Sequence, residues 1–208
     1  MNRIVLCIII LTVSFTKDIK SFGNESTFLS IERSNRSLIN IEVNVNNVNF
    51  DIIKKDGLNF TSISFDSKYS TQEVGKPALP QINELIEVPF GANFQIDILE
   101  SEYIDYNLDK NNYPALLLPA QPSVSKSAKA DDIKFIMDNT IYTKNEFINQ
   151  NNLISIIDKG IMRSIKIANI ISTPFDYNPV LGTLRIYTKI KCQINILNAD
   201  YDLTNSIK

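Results

Sequence analysis

The side chains that most often perform covalent chemistry in proteins are scarce in this sequence. Its 208 residues include no histidine and only two cysteines, Cys7 and Cys192. Without an imidazole, Ser–His and Cys–His nucleophilic sites and histidine-containing zinc sites are excluded. Because Cys7 lies in the N-terminal apolar run, Cys192 has no partner for a disulfide, a CxxC redox pair or a zinc site. We predict a chain that is not itself an enzyme, binds no metal or cofactor, and buries Cys192 as a small apolar residue in a strand.

The composition of the chain limits the classes of fold and partner that it can have. The chain is 44% hydrophobic and 21% charged, and its formal net charge is −2 with a pI near 5.3. This apolar fraction is enough for one ordinary core, so wholesale disorder is not expected. The balanced charge provides no basic surface for phosphate backbones, and we predict no nucleic-acid partner.

The N-terminus has the features of an export signal. Arg3 precedes an apolar run over residues 4–15, which is short for a membrane-spanning helix but suits the core of a signal peptide. Ser21 and Gly23 provide small residues for a cut after Gly23, so we predict a signal peptide over residues 1–23. Membrane contact would then occur only through this transient segment. The alternative is an ordinary first β-strand.

The body of the chain has the alternation of half-buried strands. Apolar and polar residues alternate over 38–46 and 94–98, and most extensively over 184–196. Turn clusters such as 158–160 separate these runs, and no window sustains a capped helical stripe. We therefore predict an all-β fold, an antiparallel β-sandwich of jelly-roll-like type, in which the polar stretch 123–132 is a long exposed loop.

Several local motifs follow one another in a recognisable order. They are Gly75-Lys76-Pro77-Ala78-Leu79-Pro80, Ile86-Glu87-Val88-Pro89-Phe90-Gly91-Ala92, Leu118-Pro119-Ala120-Gln121-Pro122, Tyr142-Thr143-Lys144-Asn145-Glu146-Phe147, Gly160-Ile161-Met162-Arg163 and Pro174-Phe175-Asp176-Tyr177-Asn178-Pro179-Val180. This ordered set, placed after a signal peptide, resembles the N-terminal propeptide of gingipain-type cysteine peptidases. The similarity covers residues 30–198.

The resemblance implies a β-sandwich prodomain that precedes a caspase-like cysteine protease domain. Such a prodomain assists folding and keeps the protease latent until proteolysis removes it, so the expected partner is a cognate protease domain, in cis or in trans. We expect an exported protein that passes through the periplasm and is then secreted or held at the cell surface. The expected divisions are a signal peptide (1–23), the propeptide sandwich (24–198) and a tail (199–208) toward an absent protease domain. Either the chain is a fragment of a longer precursor, which we favour, or the module exists alone.

The same resemblance suggests how latency would work. Gingipain-type proteases cut after Arg or Lys, so an exposed lysine could occupy the specificity pocket and pair with its carboxylate. We predict Lys126, and secondarily Lys129, as the inhibitory contacts. Pro119, Gln121 and Pro122 would stiffen the approach to this loop and lower the ordering cost on binding. The alternative is that both lysines only solvate the tip of a loop.

Two other classes of function remain open on the sequence alone. A carbohydrate-binding or adhesive β-sandwich at the cell surface is the main alternative, although the absence of tryptophan argues mildly against it. A hydrolase that uses only carboxylates is formally possible, but no pair of acidic residues can be singled out for it.

Overall fold

The protein is built almost entirely from β-strands. A computed structural model describes residues 18–22, 27–65, 69–125, 134–149 and 152–207. Most of the predicted signal segment therefore lies outside the described residues. Within these ranges the strands are β1 (Asp18–Ser21), β2 (Phe28–Asn35), β3 (Leu38–Asn44), β4 (Asn47–Lys55), β5 (Leu58–Ser64), β6 (Tyr69–Ser70), β7 (Pro80–Glu87), β8 (Asn93–Asn107), β9 (Ile154–Met162), β10 (Ile165–Ser172), β11 (Phe175–Asn178) and β12 (Thr183–Leu197). The helices are α1 (Asn139–Tyr142) and α2 (Tyr201–Ile207), and a 3-10 turn spans Asp109–Asn111.

Strand β12 organises the largest sheet. It pairs along its length with β8 on one edge and with β11 and β3 on the other, and β2 extends the sheet beyond β3. Five residues on its inner face are at most 1% exposed, namely Leu184, Ile186, Ile190, Cys192 and Ile194; on the same face Ile196 is 4% exposed and Thr188 is half-buried. The period-two pattern over 184–196 thus corresponds to one strand with one buried face, and its burial contributes about 25 cal/mol for each Å² of apolar surface.

Two smaller sheets complete the fold. One has the order β1-β4-β5 and the other the order β6-β7-β10-β9, and every strand pair in both is antiparallel. Val48 and Phe50 of β4 belong to the same core cluster as Ile170 of β10 and Leu184 of β12. The sheets therefore share one core, and the predicted antiparallel all-β fold is confirmed.

One predicted turn is wrong. Residues 158–160 lie inside β9, where the register with β10 shifts by one residue at Lys159. Gly160 has φ of +97°, and this local irregularity is a β-bulge, not a reversal of the chain. The hairpin turns instead at Arg163 and Ser164, which have φ of +49° and +68°. A two-residue turn with both φ values positive is usually formed by Asn-Gly, so Arg-Ser gave no recognisable signal.

The segment predicted as a tail contains helix α2. Asp200 caps this helix, because its carboxylate accepts a hydrogen bond from the Leu203 amide at 2.8 Å. The Thr204 hydroxyl accepts a hydrogen bond from the Phe90 amide at 3.0 Å. The Asp200 amide also donates to the Phe90 carbonyl at 2.7 Å, and the two contacts with Phe90 attach α2 to the turn between β7 and β8. Among the described residues, no helix has the length and apolar character needed to cross a membrane.

Candidate functional site

One side chain joins the two segments that flank the predicted loop 123–132, of which residues 126–132 lie outside the described residues. The Gln121 side-chain amide donates to the Ile136 carbonyl at 2.8 Å, and the Gln121 Oε1 accepts the Ile136 amide at 2.9 Å. The two residues lie 15 positions apart. A primary amide that donates to the carbonyl and accepts from the N–H of one residue mimics a rung of a β-ladder. We call this pair the loop clip; residues 122–135 lie between its two halves.

The arm that leads into the clip is residues 114–120, and Thr61 at the centre of β5 holds it. The Thr61 amide donates to Leu116 O at 2.7 Å, and Thr61 O accepts the Leu118 amide at 2.8 Å. The Thr61 hydroxyl donates to Pro114 O at 2.7 Å. Thr61 is 0% exposed, so these bonds are shielded from water and this part of the arm is fixed to the sheet.

Two buried tyrosines hold the same arm from the other side. The Tyr142 hydroxyl donates to Leu117 O and the Tyr177 hydroxyl to Ala115 O, each at 2.6 Å. Burial raises the pKa of both phenols well above the ordinary value, so both remain donors at any physiological pH. Tyr177 is 0% exposed and part of the core.

Gly75 connects the two arms of the loop directly. Its amide donates to Ala120 O and its carbonyl accepts the Asp138 amide, each at 2.9 Å. Gly75 has φ of +84°, and a Cβ placed there would lie 3.1 Å from the Asp138 nitrogen. Only glycine fits this close approach without strain. The buried Pro119 forms an isolated antiparallel bridge with Pro77, which extends the same contact.

The outgoing arm begins at the clip and continues through α1. Phe135 packs on the buried Phe60 ring, with ring centroids 5.4 Å apart. Asp138 caps α1, since its carboxylate accepts both the backbone amide (3.0 Å) and the hydroxyl (2.6 Å) of Thr140. The bond from the Thr140 hydroxyl is the main cause that lowers the pKa of Asp138.

The far end of this arm is anchored by an arginine. The Arg185 guanidinium lies between the Phe147 and Tyr103 rings, 4.1 Å from each centroid. It also donates two hydrogen bonds to the Asp105 carboxylate, at 2.7 and 2.9 Å. Arg185 and Asp105 belong to the paired strands β12 and β8, so Phe147 ties the arm to the largest sheet.

The predicted site residues are distributed as follows. Pro119 is buried in the incoming arm, Gln121 forms the clip, and Pro122 is exposed just beyond it. Lys126 and Lys129 lie outside the described residues. The roles of Thr61, Tyr142 and Arg185 were not predictable from the sequence, because a hydroxyl or guanidinium carries no local signal of its distant partner.

The one cysteine among the described residues is buried. Cys192 is 1% exposed, and burial raises the pKa of its thiol to about 12, so it is not a nucleophile at neutral pH. The arms fix both flanks of residues 122–135 to the core. The described residues form an antiparallel all-β domain in which the incoming and the outgoing arm are both fixed to the core.

Comparison with known proteins identifies the family. The Propeptide_C25 family model matches residues 21–206, and the chain belongs to that family. It is 30% identical over 156 residues to Lys-gingipain of Porphyromonas gingivalis, which covers 74% of this chain and 9% of that protein. It is 24% identical over 163 residues to gingipain R2 of the same organism, covering 74% of this chain and 21% of that protein. The resemblance seen in the sequence is confirmed, and the chain spans only a small part of these relatives.

Two solved structures share the fold. A structure that describes the zymogenic latency of gingipain K from P. gingivalis superposes with a TM-score of 0.79 at 24% identity, covering 88% of this chain and 100% of that one. A complex of the pro- and mature domains of RgpB from P. gingivalis gives a TM-score of 0.69 at 20% identity, covering 86% of this chain and 95% of that one.

Proposed function

We propose that this chain is the propeptide region of a secreted gingipain-like cysteine endopeptidase precursor. It assists folding of the peptidase domain, keeps it latent, and is removed by proteolysis. The observation that carries this proposal is the match to the propeptide family over residues 21–206. The structures of the relatives support it, since one concerns zymogenic latency and the other contains a prodomain with its mature domain. No comparison favours a carbohydrate-binding module.

The inhibitory contact is the segment between the halves of the loop clip. Lys126 enters the specificity pocket of the peptidase and pairs with its carboxylate, and Lys129 provides a second contact. The arms support this role because they hold both ends of the segment on the core before binding, which lowers the ordering cost. If the peptidase cuts after Lys126, the same arms keep the two new ends together and the domain remains bound.

Export precedes this function. The apolar run over residues 4–15 acts as the signal that carries the chain through the inner membrane, and the mature region passes the periplasm before secretion or retention at the surface. The gingipain relatives support an exported protein. The DNA that follows the codon for Lys208 tests the arrangement directly. We expect it to encode a cysteine peptidase domain, and a reading frame for an unrelated protein would contradict the proposal.

The latency role is tested by inhibition in trans. The purified chain without its leader is titrated against that peptidase domain, and against the catalytic domains of Lys-gingipain and gingipain R2, with a peptidyl substrate. Inhibition of at least one of them is expected. The double variant K126A/K129A should weaken inhibition about 30-fold, because an interface contact of this kind is worth about 2 kcal/mol.

The matched control removes the same charge elsewhere. Lys54 and Lys55 are exposed at the end of β4, beside the turn to β5. The double variant K54A/K55A should inhibit like the wild type. K126R should lose affinity for a Lys-cleaving peptidase and gain it for an Arg-cleaving one, since the pocket reads this side chain. Equal inhibition constants for the wild type and K126A/K129A would exclude the loop as the inhibitory contact while leaving the family assignment intact.

A further inference from the structure

The first described strand lies within the segment that the sequence predicts to be removed as a signal peptide. Strand β1 (Asp18–Ser21) pairs antiparallel with β4 in four consecutive positions, from Asp18 opposite Phe50 to Ser21 opposite Asn47. It forms one edge of the sheet β1-β4-β5. If β1 were removed, β4 would become the edge strand, and its backbone groups that pair with residues 18–21 would lose their partners.

Asp18 makes a specific contact with the body of the domain. Its carboxylate accepts a hydrogen bond from the Tyr113 hydroxyl and lies 3.1 Å from the Lys20 ammonium. Tyr113 is 8% exposed, and its ring packs 5.0 Å from the Phe50 ring. Without Asp18, this phenol would lose the acceptor to which it is hydrogen-bonded in a largely dry place.

Phe22 continues the attachment beyond β1. Its amide donates to Asn46 O at 2.6 Å, and its ring meets the Tyr106 ring edge-on with centroids 5.6 Å apart. Tyr106 in turn packs 5.1 Å from Phe50. Phe22 is therefore one member of an aromatic cluster that links β1, β4 and β8, and it packs against the main core.

We propose that the export signal is removed upstream of Asp18 and that residues 18–22 remain in the mature protein as its first strand. Signal peptidase hydrolyses one peptide bond; water leaves a carboxylate on the leader and a free amine on the mature chain. Ser14 and Thr16 lie two positions apart at the end of the apolar run, which is the spacing of the small residues in a signal-peptidase site. The cut lies after Thr16, not after Gly23. This inference depends on the proposed export signal but not on the proposed inhibitory loop.

The test is the N-terminus of the exported protein. The complete chain with its own leader is produced in a Gram-negative host, recovered from the periplasm and analysed by intact mass and N-terminal sequencing. A mature chain that begins at Lys17 is expected, and a chain that begins at Asn24 would overturn the inference. An exported chain with no cleavage would overturn both this inference and the proposed signal peptide, so the two failures are distinguishable.

A matched pair of variants sharpens the result. T16R should block processing, because arginine does not fit the site beside the cut bond, whereas G23R should leave processing unchanged. The opposite outcome would place the cut after Gly23.

A second measurement tests the structural reason. Chains 18–208 and 24–208, produced without a leader, are compared by thermal unfolding. The shorter chain should unfold at least about 5 °C lower or fail to fold. Equal midpoints would show that residues 18–22 contribute nothing and would remove the basis of the inference.

Discussion

Replacing Gln121 by alanine removes both hydrogen bonds of the loop clip, together with two longer contacts of 3.2 Å from the same amide to the Pro119 and Ala120 carbonyls. Each bond contributes about 0.5–1.5 kcal/mol net, and because Gln121 is exposed we take the lower part of the sum, about 1–2 kcal/mol. The contacts of Gly75 still hold the arms, so the effective loop lengthens only slightly and closure entropy adds about 0.2 kcal/mol. Since the clip orders the loop before binding, Q121A should weaken inhibition about 5–30-fold.

Two measurements check this reasoning. The inhibition constant of Q121A reports the loss of ordering, and hydrogen exchange of the Ile136 amide, which donates to Gln121, reports the opening of the clip. Both should change by a similar factor. Q121E should be intermediate, since its carboxylate accepts the Ile136 amide but cannot donate to the Ile136 carbonyl.

Gln95 offers a matched control. It is exposed on β8, and its amide donates only weakly to the Asp97 carboxylate, at 3.2 Å. Q95A removes the same atoms away from the loop and should leave the inhibition constant unchanged. If Q121A inhibits like the wild type while Ile136 exchanges faster, the clip does not prepare the loop for binding and the reasoning is refuted.

Four further changes test the scaffold. G75A should lower stability by about 1–3 kcal/mol in urea unfolding, because the new Cβ combines strain at positive φ with a contact of 3.1 Å; an unchanged midpoint would mean that the backbone moves freely there. I190D buries a charge at a position that is 0% exposed and should abolish folding, as seen by circular dichroism. K189A, on the opposite face of β12, should cost less than about 1 kcal/mol. Similar effects of the two variants would disprove that Ile190 faces the core. R185K should lose about 1–2 kcal/mol in thermal unfolding, because lysine cannot form the bidentate, stacked contact, and full stability would argue against the anchor. The pKa of Asp138 is lowered in the folded state, so its contribution to the free energy of unfolding is present above the ordinary pKa near 3.8 and is lost as the pH falls below that value. D138N should therefore lose less stability in acid, as measured by pH-dependent unfolding. Identical acid profiles for D138N and the wild type would exclude this contribution.

The fold was largely predictable because it depends on a local pattern. The alternation over 184–196 states which residues face the core, and Ile190 and Cys192 are buried as that pattern requires. The hairpin at Arg163 was not predictable, since neither residue of its turn is typical of positive φ. Helix α2 was not predicted either, because seven residues are too few to show the apolar periodicity of a helix.

The candidate site was predictable only in part. The cluster around Gly75 and the proline-rich approach to Gln121 marked turns and a loop, but not their contact with each other. Tyr142 and Tyr177 appeared in recognisable motifs, yet nothing local indicated that both hydroxyls would bind the same arm. These partners are dozens of positions apart, and single-sequence patterns contain no information on such pairs.

The sequence by itself determined the class of fold, the absence of histidine-based catalysis and the family resemblance, because alternation, composition and ordered turn motifs are properties of neighbouring residues. Only the tertiary structure decided that one glutamine closes the loop, that Gly75 joins both arms, and that Asp18 and Phe22 belong to the folded domain. Each of those facts is a contact between remote segments, and such contacts form only when the core brings the segments together.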